Sequence, residues 1–277
     1  QAFEKILRGE KGYNIFLRDV HNKVKSSFSD GKYDKEAIPG KSIITSIDAE
    51  LQSYGEMLMA NKIGSVVAIE PSTGEVLALV SSPGVSVDKL ASISKYYSEL
   101  VNDPYKPMFN RAVMSPYPPG SVFKIVNGLI ALQEGVIDLD DESLCRMGYH
   151  VGRGVACHAH PSPTNLEESI MMSCNAYFCW AFREILDNKK YPNIAQSFSR
   201  WREMVESFGF GHKLGSDIPA EQGGTLPSTK TYDRIHGENR WKSLSIISLA
   251  IGQGEIGTTP LHLANLAAII ANRGYYY

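Results

Sequence analysis

The sequence predicts an α+β fold, and three observations carry that prediction. Apolar runs at residues 65–70 and 75–81 flank Pro71–Gly74 as the strands of a β-hairpin. Residues 121–134, 176–186 and 261–271 place apolar side chains at helical spacing. The chain has 277 residues and 43% hydrophobic content, enough to bury a sizeable core in one large domain plus an appendage. A formal net charge of -2 gives no electrostatic argument for a nucleic-acid partner or a membrane surface. No apolar run of about eighteen residues and no signal sequence is present.

Residues 1–40 are polar and turn-rich, punctuated by Gly9, Gly12, Gly31 and Gly40, and read as the appendage and its linker. Ser42 to Asp48 reads as a strand. Asp48 is then a suitable N-cap for a helix that lines Leu51, Tyr54 and Leu58 along one face. After the hairpin, Val122, Ile125, Val126, Leu129 and Leu132 mark a helix that Gly135 can stop. Thr164 followed by Glu167 reads as a capping box opening a further helix. The next helix, Ala176 to Leu186, is rich in Tyr177, Phe178, Trp180, Phe182 and Ile185 and reads as buried. Gly252-Gln253-Gly254 reads as a tight turn near a cleft, since no Lys follows it as a phosphate loop requires. Pro260 opens the last helix, which ends near Gly274.

Chemistry concentrates at two points. Ser121-Val122-Phe123-Lys124 follows Tyr117-Pro118-Pro119-Gly120 at a helix start, so a hydroxyl and an amine share one face a turn apart. A serine hydroxyl is a poor nucleophile near neutral pH and needs a neutral amine within hydrogen-bond reach, hence a lysine whose pKa is lowered. The helix N-terminus adds a field that favours the developing oxyanion. Ser173-Cys174-Asn175 lies in the turn between two helices, where a Ser and an Asn two residues apart can face one cleft. Ordinary turn chemistry also favours both residue types there.

Taken together, Ser-x-x-Lys and Ser-x-Asn about fifty residues apart resemble the first two motifs of the penicillin-recognising acyl-serine enzymes. Asn110-Arg111-Ala112, the Ile69-to-Ala78 hairpin, Leu100-to-Pro104 and Ile251-to-Gly254 before Thr258-Thr259-Pro260-Leu261 narrow the resemblance to class B penicillin-binding proteins of cell elongation. It covers nearly the whole chain. It implies residues 1–40 as the end of a pedestal domain and linker, and residues 41–277 as a transpeptidase domain of the penicillin-binding-protein and serine β-lactamase type, with a five-stranded antiparallel sheet. It also implies Ser121 as nucleophile, Lys124 as its base, Ser173 as proton relay and Asn175 as binder of a substrate amide. The implied partners are peptidoglycan stem peptides ending in D-Ala-D-Ala, β-lactams and cell-elongation membrane proteins. The implied place is the periplasmic face of the bacterial inner membrane, reached through an N-terminal anchor not contained in this chain. A β-lactam sensor or hydrolase of the same superfamily, or a non-catalytic scaffold acting through the N-terminal 40 residues, are the alternatives.

The family's third motif, Lys-Thr-Gly or Lys-Ser-Gly, is expected well after Gly254, whereas the sequence reaches only Tyr277. Lys230-Thr231-Tyr232 is upstream and lacks the glycine that admits a ligand. The chain is therefore expected to be a fragment lacking the C-terminal strands, and inactive by itself. No cofactor is required for the chemistry. However, Cys145, His150, Cys157, His158 and His160 fall within sixteen residues. Thiolates and imidazoles are the preferred ligands of structural zinc. The resemblance implies a metal site in this inter-motif region of some relatives, and Cys145, Cys157, His158 and His160 are the residues that would form it. A Cys145–Cys157 disulfide, or no bond at all, are the competing readings. Cys174 and Cys179 read as small buried side chains.

Overall fold

The computed structural model describes residues 2–218 and 220–277. The chain divides into two compact units, residues 2–46 with the short segment 216–218, and residues 47–215 with 220–277. The smaller unit holds α1 (Glu4–Arg8) and an antiparallel pair, β1 (Phe16–Arg18) and β2 (Val24–Ser27). Its strands and helix expose most of their side chains.

In the larger unit the strand expected at residues 42–48 does not form. Ile44 is fully exposed and among the described residues no strand pairs along the segment, which meets the following hairpin at Asp48, so little compensates the backbone ordering. Asp48 does cap α2 (Ala49–Leu58), accepting from the Glu50 and Leu51 N–H groups. The hairpin forms as β3 (Gly64–Ile69) and β4 (Val76–Ser82), in register from Gly64–Ser82 to Ala68–Ala78. Helix α2 closes the outer edge of β4: the Asp48 N–H donates to Leu77 O at 2.9 Å, and Gln52 exchanges two hydrogen bonds with the Leu79 backbone. Among the described residues β3 pairs only with β4. Three further short helices follow, α3 (Val87–Ala91), α4 (Ile93–Asn102) and α5 (Arg111–Met114). Buried Arg111 donates to the carbonyls of Tyr105, Lys106 and Phe109, tying the preceding loop to α5, and among the described residues it meets no carboxylate.

The core is helical. A 3-10 turn at Gly120–Val122 runs into α6 (Phe123–Gln133), whose Phe123, Val126 and Ile130 are buried. The pair β5 (Gly148–Tyr149) and β6 (Val155–Ala156) precedes α7 (Leu166–Met171), α8 (Asn175–Leu186) and α9 (Ile194–Ser207). Trp201 of α9 is the centre of the packing: it stacks on Phe198 at 5.3 Å and meets the edges of Phe182 at 5.5 Å and Phe123 at 6.2 Å. Helix α10 (Thr229–His236), the 3-10 segment Ser243–Ile251 and α11 (Pro260–Ala271) complete the unit. Lys230-Thr231-Tyr232 lies in α10 with Tyr232 buried in the aromatic cluster. The capping box of α7 is Asn165 with Glu168, one residue beyond the expected pair, because the Thr164 hydroxyl is buried and accepts from Ser169 Oγ at 2.7 Å.

The turn at Gly252 packs tightly against the turn that opens α6. Gly252 has φ +67, and an added Cβ would lie 2.3 Å from Gly120 O and 2.8 Å from Phe123 Cβ. Gly252→Ala therefore combines left-handed backbone strain with a backbone collision. We expect it to cost about 2–4 kcal/mol, lowering the melting temperature by roughly 4–16 °C. Thermal denaturation followed by circular dichroism checks this.

Candidate active site

Ser121 occupies the middle of the 3-10 turn that opens α6, exposed to solvent, and Lys124 follows one turn on with its side chain directed inward and only 2% exposed. The turn is held from outside. The Gly120 N–H donates to Gly252 O at 2.8 Å, and Tyr117 exchanges two backbone hydrogen bonds with Thr258.

Ser173 stands between α7 and α8 with φ +51, which turns the chain so that Ser173 and Asn175 both reach Lys124. The amine lies 2.7 Å from Ser173 O, 2.9 Å from Ser173 Oγ and 2.6 Å from Asn175 Oδ1. It also sits 5.8 Å from the centre of the Phe178 ring. The structure thus unites the two motifs predicted from sequence, across 49 and 51 residues of chain. Among the described residues no hydrogen bond joins Lys124 to the Ser121 hydroxyl; the amine is engaged with the second motif.

Burial holds the Lys124 pKa below its ordinary value, opposed by nearby Cys157, Cys174 and Cys179. The three contacts suit either protonation state. An ammonium donates to all three oxygens. A neutral amine donates to Ser173 O and Asn175 Oδ1 and accepts from the Ser173 hydroxyl. Such a lysine can pass a proton through Ser173 without losing its position.

Directly behind this motif lie four side chains of metal-ligand type: ligand atoms of Cys145, Cys157, His160 and Cys174 all fall within 4.8 Å of one another. The expected set is corrected at one place, with Cys174 standing where His158 was expected. His158, adjacent to Cys157 on an irregular segment, is exposed with Nδ1 4.0 Å from Cys157 Sγ and does not join the four. His150 turns away to the Arg146 carbonyl at 2.8 Å. All four cysteines are free thiols, so the Cys145–Cys157 disulfide is not formed. Cys174 carried no sequence signal beyond its place inside Ser-x-Asn.

The donor set fits a tetrahedral Cys3His zinc site. His160 Nδ1 lies 2.7 Å from the Pro161 carbonyl, which fixes the tautomer whose Nε2 lone pair faces Cys157 Sγ at 3.6 Å. Burial pushes the Cys157 thiol up, but the Asn175 N–H, His160 and Cys145 more than offset it and bring it to about 7. Burial dominates at Cys174, raised to about 11, and at Cys179, raised to about 12. The cluster supports the motif mechanically. The Asn175 N–H donates to Cys157 Sγ at 3.3 Å, Asn175 Nδ2 donates to Ala156 O at 2.8 Å, and Cys174 Sγ accepts from the Tyr177 N–H at the start of α8.

A hydroxyl at a helix start, a buried amine one turn on and a Ser-x-Asn turn closing on that amine share one site on a hairpin-and-helix scaffold. A model of the penicillin binding protein transpeptidase domain matches residues 64–277, and the chain belongs to that family. It is 31% identical over 289 residues to the peptidoglycan D,D-transpeptidase MrdA of Acinetobacter baumannii, covering 99% of this chain and 39% of that protein. Against the MrdA of Escherichia coli K12 the identity is 30%, over 98% of this chain and 42% of that protein. Among solved structures it is similar to Pseudomonas aeruginosa PBP2 (TM-score 0.70, 30% identity, 87% of this chain and 52% of that one). It is similar also to Helicobacter pylori PBP2 solved in complex with MreC (TM-score 0.76, 25% identity, 99% of this chain and 49% of that one). The chain spans about 40% of the length of the curated relatives it matches. Among the described residues no helix is long and apolar enough to cross a membrane.

Proposed function

We propose that this chain is the greater part of the catalytic domain of a peptidoglycan D,D-transpeptidase of cell elongation that works through an acyl-serine intermediate. The observation that carries the reading is the convergence of Lys124 on Ser173 Oγ and Asn175 Oδ1 beside the turn that bears Ser121. Ser121 Oγ attacks the carbonyl of the penultimate D-alanine of a stem pentapeptide, and its proton passes to Lys124. The tetrahedral intermediate collapses as the carbon–nitrogen bond to the terminal D-alanine breaks, with the proton returned through Ser173 to the leaving amine. An amine of a second strand then attacks the ester, forming the cross-link and freeing Ser121. Asn175 holds the substrate amide. The Ser121 N–H supplies one donor of the oxyanion hole, and the other, with the groups that grip the terminal carboxylate, belongs to a third-motif strand beside β3. β-Lactams acylate the same serine.

The same reading assigns zinc to Cys145, Cys157, His160 and Cys174, as a structural ion that braces the Ser173–Asn175 turn from behind. It places the protein on the periplasmic face of the inner membrane among the cell-elongation proteins, in keeping with the MreC complex of the H. pylori relative.

In a preparation carrying the complete transpeptidase domain, a donor pentapeptide and an amine acceptor should yield cross-linked product with one D-alanine released per bond. Ser121→Ala should abolish both. Product formation unchanged by Ser121→Ala would overturn the proposal. The 277 residues alone, with one oxyanion donor, should take up penicillin at least about a hundredfold more slowly. Acylation of this chain at the rate of the complete domain would contradict the placement of the third motif.

The lowered pKa of Lys124 sets a pH dependence. A base whose pKa is lowered reaches its neutral, proton-accepting form at lower pH, so acylation should rise with pH and level off below about 10.4, the pKa of a free lysine. Cys157, Cys174 and Cys179 face the amine, and any thiolate charge there shifts the plateau to higher pH. Lys124→Arg keeps the charge but cannot lose its proton. Its pH profile, measured by stopped-flow acylation, should be slow and flat.

A further inference from the structure

We infer that Asn127 is a positioning residue for acylation, resting on the reading that Ser121 is the nucleophile. Asn127 lies on α6 three residues beyond Lys124, is fully buried, and engages both amide donors and its carbonyl oxygen. Its Oδ1 accepts from Trp201 Nε1 at 2.9 Å, and its Nδ2 donates to the carbonyls of both Leu249 and Ala250 at 3.0 Å. Those carbonyls lie just before the end of the 3-10 segment, which closes at Ile251 and passes to Gly252. Gly252 O in turn accepts from the Gly120 N–H at 2.8 Å, immediately before Ser121. The hydrogen bonds therefore form a ring that leaves α6 at Asn127, crosses to 249–252, returns at Gly120 and re-enters α6 through Ser121.

The ring braces the turn that carries the nucleophile from outside α6. Lys124 is held by α6 and by the second motif, but Ser121 lies in the 3-10 turn, and Gly120 before it has φ +62. The Gly120 and Ser121 carbonyls accept from the Phe123 N–H at the start of α6, and the peptide one residue earlier, through the Gly120 N–H, is oriented by Gly252. Gly252 approaches so closely that it must be glycine. A shift of 249–252 would move the Ser121 hydroxyl and its N–H together relative to Lys124, and small displacements of reacting atoms cost large factors in rate. A merely structural Asn127 would lower stability without touching the acylation step.

The test uses the protein with its complete transpeptidase domain and a fluorescent penicillin, separating the noncovalent dissociation constant from the acylation rate constant by stopped flow. Asn127→Leu, similar in volume, removes both donors to 249–250. Trp201→Phe removes the partner of Oδ1 and part of the ring packing but keeps both donors to 249–250, and serves as the control at matched stability. We expect Asn127→Leu to slow the acylation rate constant by about tenfold to a hundredfold with the dissociation constant within about twofold. Trp201→Phe, at a comparable fall in melting temperature, should acylate within about threefold of the unaltered protein. Asn127→Asp, which when protonated keeps a single donor, should fall between the two, and it decides the matter if Asn127→Leu does not fold. Equal acylation rates for the Asn127 variants and Trp201→Phe at matched stability would overturn the inference. Failure of the unaltered protein to label at Ser121 would instead overturn the reading on which it rests.

Discussion

Lys124→Met, in the protein with its complete transpeptidase domain, is expected to lower the rate of acylation by a fluorescent penicillin about a thousandfold, the scale of a positioned general base. Methionine fills nearly the same volume and removes only the amine. The loss of three hydrogen bonds at Ser173 and Asn175 is offset by no longer burying an amine in a site that already disfavours its charge. The fold should therefore survive, with a melting temperature within a few degrees of the unaltered protein. Acylation of Lys124→Met within about threefold of normal, in a preparation that melts normally, would remove the lysine from the mechanism.

The second large effect concerns zinc. Protein purified without chelators or a histidine tag should contain about one equivalent, and prolonged chelation should lower its melting temperature by roughly 8–16 °C. That range corresponds to about 4 kcal/mol of binding linkage when free metal stands a thousandfold above its dissociation constant. Cys174→Ser and Cys157→Ser should both lose the metal. Cys179→Ser should retain it, because Cys179 is buried in α8 outside the four-residue set. A metal content near zero, with no response to chelation, would leave the four residues as a thiol cluster and nothing more. Loss of metal from Cys179→Ser alone would misplace the site.

How far the site could be read from sequence follows from the range of the interactions that build it. Ser121 and Lys124 are one turn apart, so their spacing alone announces a shared face. The hairpin and α11 were equally legible, since alternation and a proline at the first helical position are local signals. Lys124 meeting Asn175 crosses 51 residues and follows only from the packing of α6 on α8, which sequence reasoning reached through a motif resemblance and not through physics. Cys145, Cys157 and His160 stood out because they cluster locally. Cys174 did not, because at the start of an apolar helix it reads as core, and only the turn at Ser173 brings its sulfur to the other three.

The local misreadings have the same origin. Residues 42–48 have strand-like residues but no partner strand, and a strand is defined by pairing more than by propensity. Thr164 has the chemistry of a cap, but its hydroxyl is buried against Ser169, leaving Asn165 to cap the helix. Asn127 gave no signal at all. A buried asparagine in an apolar helix acquires meaning only when its three partners, 74 to 123 residues away, are known.

The most direct test of the central claim is the site of the covalent adduct. The protein with its complete transpeptidase domain, treated with benzylpenicillin, digested and sequenced by mass spectrometry, should carry one penicilloyl group, on the peptide containing Ser121 and on that hydroxyl. The adduct should be absent from Ser121→Ala. An adduct on any other residue, or undiminished labelling of Ser121→Ala, would contradict the account.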